Sequence, residues 1–332
     1  MAAGQSRGRD PMAGWCDNGG WQRSARRFER GAGGMRLAFA ALVAAAALPF
    51  AALAGPPDQA GWDAARKTVS VGPELVAGYV ELGAPPAEAE GVPVVLVHGY
   101  TDNSRSWSLM APALAEALPG RRIVAIDLRG HGISSAPDCC YGPADLAYHV
   151  AKAMDGLEIG QADLVGHSLG SITSAYLAAT EPERVNRLVL ISSTTRMPAE
   201  PTQWLWDNVP GLPEKIDPDS QFMRDWFSNP NPMPAEFLDR ERTEGAKVPH
   251  HVWMGVLQSL SATDWTLLAP WIEAPVAVLW GDQDPLFGKE TQDWLQDALP
   301  DATRLTYEGA GHNMFWEQPD KLAADIAAFL QQ

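Results

Sequence analysis

Cysteine is scarce, with three residues in a chain of 332. Cys16 stands alone near the start, and Cys139 and Cys140 are neighbours in one loop. Adjacent cysteines seldom bridge, because the ring they would close is strained. A disulfide framework is therefore excluded. No Cys/His cluster has zinc spacing, so the sequence offers no metal site. Basic residues are outnumbered, 25 to 41, for a net charge of -16. That balance argues against nucleic acid or an anionic membrane as a partner. No internal repeat at a solenoid or propeller period is visible.

The charge is uneven. Residues 1–54 hold seven Arg against Asp10, Asp17 and Glu29, so the remainder carries about -20. Met35-Arg36 leads into an apolar run, Leu37 to Leu48, then Pro49 and Ala52-Leu53-Ala54 before Gly55. A charged start, a short apolar stretch and an A-x-A cleavage site make a secretory signal peptide over 35–54. The run is too short and alanine-rich for a good membrane anchor. The mature protein is thus expected in the periplasm or outside the cell, without a stable anchor. Residues 1–34 are Gly- and Arg-rich and lack periodicity. They read as a mis-assigned or disordered extension, with translation starting at Met35.

From residue 55 the chain alternates two patterns. Lys67–Gly72 and Glu74–Gly83 read as strands joined at Gly72-Pro73. The run from Val92 to Gly99 is apolar and ends in glycine, as in a parallel strand buried on both faces. Arg122–Asp127 and Pro275–Trp280 repeat that signature, and Ala162–Val165, Arg187–Ser192 and Thr303–Glu308 read as further strands. Between them lie helical patterns: from a cap at Ser104 or Ser106 to Leu118, and over Asp145–Leu157, Ser171–Thr180, Lys289–Leu299 and Asp320–Leu330. Strands alternating with helices imply a parallel sheet built by right-handed crossovers. The alternation breaks over residues 196–268, which are Pro- and Trp-rich. That stretch reads as a mainly helical insertion between core strands, and inserts of this length tend to be lids or binding surfaces.

Gly166-His167-Ser168-Leu169-Gly170 lies at a strand-to-helix junction. Glycine two residues either side of Ser168 permits a tight turn that lifts the hydroxyl to the positive end of a helix. An acyl-transfer serine also needs a base and a carboxylate to orient it. His312, in Gly309-Ala310-Gly311-His312, follows a strand and supplies the base. The acid lies in Gly281-Asp282-Gln283-Asp284-Pro285. Asp282 directly follows the glycine and reads as capping the turn, which favours Asp284. Two backbone N–H groups should hold the oxyanion, those of Leu169 and Tyr100. His98, Asp127, Arg129, His131 and His167 read as structural. Among the aromatic residues of the insert, Trp204, Trp206, Trp226 and Trp253 are candidates for the substrate wall, with at least half of the insert's tryptophans expected in packing.

These motifs resemble those of the α/β-hydrolase superfamily in its lidded form, over roughly residues 67–332. The resemblance implies a mostly parallel central sheet flanked by helices, with a helical cap after the sixth strand. The core would comprise 55–195 and 269–332, and the cap 196–268. It implies Asp284 as the acid, and no metal or organic cofactor. Serine at the elbow sets the chain apart from the dehalogenase and epoxide-hydrolase branches, which place Asp there. The expected activity is hydrolysis of a small apolar or aromatic ester or lactone through an acyl-enzyme. Other reactions on one triad stay open, namely C–C or amide hydrolysis and perhydrolysis, as does a non-catalytic binding module.

Overall fold

A computed structural model describes residues 59–332. The extension over 1–34, the signal segment over 35–54 and the first residues of the core lie outside the described residues. No helix among the described residues is long and apolar enough to cross a membrane.

A short helix, α1 (Trp62–Ala65), precedes a hairpin of β1 (Lys67–Gly72) and β2 (Leu75–Gly83). The core then alternates: β3 (Val94–Val97), α2 (Ala111–Ala117), β4 (Arg122–Ile126), α3 (Pro143–Gly156), β5 (Ala162–His167), α4 (Leu169–Thr180) and β6 (Val185–Ile191). Four helices follow as the insert: α5 (Ala199–Asn208), α6 (Gln221–Trp226), α7 (Ala235–Gly245) and α8 (His250–Ser261). The core resumes with β7 (Val276–Gly281), α9 (Lys289–Ala298), β8 (Thr303–Tyr307), α10 (Met314–Glu317) and α11 (Pro319–Leu330).

The strands form one eight-stranded sheet in the order β1-β2-β4-β3-β5-β6-β7-β8. β2 runs antiparallel to both β1 and β4, and all other pairs are parallel. The mostly parallel sheet with a helical insert after the sixth strand is therefore the fold that the sequence predicts. Every residue of β3, β4 and β5 is buried, which is why these strands are mostly apolar and lack alternation. The chain steps from β3 outward to β4, then back across β3 to β5. Right-handed crossovers place α2 and α3 on opposite faces for that reason. α2 packs with α11 and α3 packs with α4. The reversal leaves a crevice beyond the carboxyl ends of β3 and β5, where open α/β sheets bind ligands.

The predicted helix from Ser104 or Ser106 to Leu118 is two pieces, a 3-10 turn over Ser104–Ser108 and then α2. Its cap is Asn103, whose Oδ1 accepts from the Arg105 N–H at 2.9 Å. The Asp127 carboxylate takes the Ser104 N–H at 2.7 Å and ties this turn to the end of β4. The insert is clamped at its neck. Arg196 and Asp264 form an antiparallel bridge, and the Trp265 indole N–H donates to the Thr194 carbonyl at 2.8 Å.

Candidate active site

Ser168 joins β5 to α4 with φ 52° and ψ -119°, a backbone conformation that side-chain-bearing residues rarely hold. The flanking glycines permit it. A Cβ on Gly166 would lie 2.4 Å from the Gly170 carbonyl oxygen, and one on Gly170 would lie 2.1 Å from that of Val97. Both contacts are with backbone, so nothing can rotate away. The turn thus depends on β3 and α4 approaching more closely than any side chain allows.

The structure separates the two candidate acids. Asp284 is buried at the end of β7. Its Oδ1 accepts the N–H groups of Leu286 and Phe287 at 2.8 and 3.0 Å. Its Oδ2 faces His312 Nδ1 at 2.8 Å. Asp282 instead accepts the Gly309 N–H at 2.8 Å and spans the loop ends. With Asp284 ionised, His312 carries its proton on Nδ1 and leaves Nε2 as a lone pair. The His312 carbonyl is itself held, by the Ser192 hydroxyl at 2.7 Å and by His167 Nε2 at 3.1 Å. The Ser168 hydroxyl and His312 line one cavity, and no hydrogen bond joins the two side chains in this arrangement.

Tyr100 lies after β3, and its backbone N–H, like that of Leu169 at the start of α4, donates to no other described residue. Two donors on adjacent loops, one at a helix N-terminus, are the parts an oxyanion site requires. His98 braces the loop. Its Nδ1 donates to the Gly99 carbonyl at 2.8 Å, and its Nε2 accepts the Leu128 N–H at 2.8 Å. Burial keeps His98, His131, His149 and His167 neutral, with pKa values below the ordinary imidazole range.

The cavity over Ser168 measures about 280 Å³. Its walls include Tyr100, Trp204, Trp226, Phe227, Leu286 and Trp316, with Asp102, His167, Asp225, Ser228 and Asn313 as polar members beside Ser168 and His312. Among the described residues, neither lysine nor arginine lines it. A second, apolar crevice of about 20 Å³ opens from Ser168 between Leu169, Ile172, Leu205 and Phe287. Of the four tryptophans expected at the substrate wall, Trp204 and Trp226 line the cavity, stacked nearly parallel at 6.1 Å. Trp206 and Trp253 do not. The Trp206 indole turns away to donate to Ser261 Oγ at 2.9 Å. Trp253 is fully buried behind Tyr100, Phe222 and Trp226, where its ring supports the wall.

The sequence profile described as alpha/beta hydrolase fold matches residues 92–319. The chain belongs to this hydrolase family. It is 30% identical over 284 residues to the dihydrolipoyllysine-residue acetyltransferase component of an acetoin cleaving system from Pseudomonas putida, covering 84% of this hydrolase and 72% of that protein. It is 34% identical over 132 residues to a 2-hydroxymuconate semialdehyde hydrolase of a Pseudomonas species, covering 40% of this chain and 46% of that one. Among solved structures, the enol-lactonase from Burkholderia xenovorans superposes with a TM-score of 0.68 at 22% identity, over 80% of this hydrolase and all of that chain.

Sequence reasoning missed Asp102, Phe227, Asn313 and Trp316 as members of the cavity. Asp102 had a usable signal, since it lies two residues beyond Tyr100 on the loop already singled out. Trp316 and Asn313 follow His312 closely, but their direction depends on α10.

Proposed function

We propose that this hydrolase is a serine esterase acting on small, uncharged carboxylic esters or lactones. The observation that carries the reading is the Asp284–His312 hydrogen bond behind the cavity that His312 and the strained Ser168 both line. Ser168 Oγ attacks the carbonyl carbon while His312 Nε2 takes its proton. Asp284 holds the tautomer that makes this possible and stabilises the imidazolium. The N–H groups of Tyr100 and Leu169 receive the negative charge, aided by the α4 dipole. His312 then returns the proton to the leaving alcohol, and water releases the acid.

The cavity's charge favours esters over C–C cleavage. The muconate semialdehyde named for one relative is a carboxylate, and such a group needs a cationic partner when buried. This cavity offers Asp102 and Asp225 and, among the described residues, no lysine or arginine to pair with a buried carboxylate. Its volume lies near the lower end for ligand sites. The narrow crevice beside Leu169 and Ile172 suits a short acyl group, and the tryptophan wall an aromatic or apolar alcohol. We also read residues 35–54 as an export signal, which N-terminal mass spectrometry of the secreted protein tests.

The decisive experiment treats wild type and Ser168→Ala with a fluorophosphonate, then with p-nitrophenyl esters of rising acyl length, lactones and a dienoate ketone. Labelling and turnover of short esters by wild type alone supports the reading. Labelling with turnover of the dienoate only would replace it with C–C hydrolysis, and absence of labelling would leave a binding module.

A further inference from the structure

Asp102 is a buried carboxyl in the wall of the cavity, and neither the triad nor the oxyanion site uses it. Its surroundings contain a contradiction that one proton resolves. His167 Nε2 lies 3.1 Å from the His312 carbonyl oxygen. A carbonyl only accepts, so Nε2 must carry the hydrogen. In the neutral ring this leaves Nδ1 as a lone pair. Nδ1 is buried, has no hydrogen-bond partner and faces Asp102 Oδ2 at 3.8 Å. An ionised Asp102 would turn one acceptor toward another in a buried site. Gly99 enforces the meeting, because a Cβ there would lie 2.9 Å from His167 Nδ1 and 3.0 Å from Asp102 Oδ2.

We propose that Asp102 rests as a neutral carboxylic acid with its proton directed at His167 Nδ1, and that loss of this proton sets the alkaline limit of activity. The proposal rests on the esterase reading for its second half only. Burial pushes the Asp102 carboxyl up to about 7, against the pull of His312 and the Gly99 N–H. The titratable groups facing it are His167 from β5, His312 from the loop after β8 and Glu241 from α7. Glu241 is buried, is itself pushed up and cannot supply a counter-cation. No lysine or arginine pairs with Asp102 among the described residues. On ionisation the proton leaves to the cavity's water. The remaining charge sits two residues from the Tyr100 N–H and beside His312, where it opposes the oxyanion forming in the transition state. Asp102 is thus a positioning residue, acting through its proton on His167 and through its charge on the oxyanion site.

The test pairs kinetics with a readout that needs no turnover. In the wild-type chain, kcat/KM for a short p-nitrophenyl ester is expected to fall tenfold per pH unit above a midpoint close to neutral. Asp102→Asn keeps a donor toward His167 Nδ1 and cannot ionise, so that limb disappears from its profile, whatever its absolute rate. Glu241→Gln keeps the limb. Separately, NMR of the wild-type chain with labelled Asp carboxyls is expected to show one carboxyl titrating near neutral pH, with His167 protonated at Nε2 alone. A limb that persists in Asp102→Asn, a His167 protonated at both nitrogens at neutral pH, or an Asp102 ionised well below neutrality would each overturn the proposal. Should the chain turn over no ester, the NMR titration still decides the proton's place.

Discussion

Replacing Asp284 by Asn tests the core of the mechanism, because the structure dictates how the amide must sit. Asp284 Oδ1 receives two backbone N–H groups, from Leu286 and Phe287. The Asn oxygen has to take that position. The reverse orientation would leave two buried donors facing an amide nitrogen, at about 1–3 kcal/mol each. The NH2 group therefore points at His312 Nδ1, 2.8 Å away in the wild type. It donates, so His312 must offer Nδ1 as an acceptor and carry its proton on Nε2. That tautomer cannot accept the serine proton. Loss of the base by this route costs on the order of 10⁴ in kcat, about 5.5 kcal/mol. The assay is kcat on a short p-nitrophenyl ester at neutral pH, with a thermal melt to show that the variant stays folded. Asp282→Asn is the control. Its oxygen can still accept the Gly309 N–H, and its rate should stay within a few-fold of wild type. An Asp284→Asn enzyme within tenfold of wild type, or an Asp282→Asn enzyme equally impaired, would refute the assignment.

Three further outcomes follow from the packing and protonation of named groups. Gly170→Ala sets a Cβ 2.1 Å from the Val97 carbonyl, so it should cost at least about 3 kcal/mol in urea unfolding. A fully folded, active variant would count against the close approach of β3 and α4. Trp253→Ala empties a completely buried site and should cost about 3–5 kcal/mol in stability. Trp204→Ala, half-buried at the cavity, should chiefly raise KM, and equal melting losses in the two would contradict their separate roles. His149 is neutral when folded, its pKa lowered to about 4 by burial, while the unfolded side chain titrates near 6.5. The unfolded state therefore binds more protons in that window, and stability falls as pH drops through it, by about 1.4 kcal/mol per pH unit. The raised carboxyls of Asp102 and Glu241 oppose that trend, so the informative measurement is a difference. His149→Gln can still donate to the Asp127 carbonyl and should flatten the slope by one proton between pH 4 and 6.5. Identical slopes would show that His149 is charged in the folded protein.

What the sequence made legible follows from how local each constraint is. The elbow needs glycine at 166 and 170 because backbone meets backbone there, and no distant partner can relieve it. Such a requirement leaves its mark within five residues. The buried strands left their mark likewise, since burial on both faces removes the alternation that an exposed strand would show. Asp284 could be favoured over Asp282 from loop position alone, but the deciding fact is non-local. It is the pair of N–H groups from Leu286 and Phe287 that turns the other oxygen toward a histidine 28 residues onward. The cavity wall lies further from reach. Tryptophan content marks the insert as aromatic without saying which rings face inward. Trp206 and Trp226 differ because one indole finds Ser261 on α8, and the other finds Thr101 on the loop after β3. Asp102 shows the limit most clearly. Its side chain is an ordinary surface type, and only the fold brings it against a histidine whose other nitrogen is committed to the His312 carbonyl. The chemistry of that carboxyl is therefore a property of two loops meeting the end of β5, and the close backbone approaches that bring them together need glycine at 99 and 170.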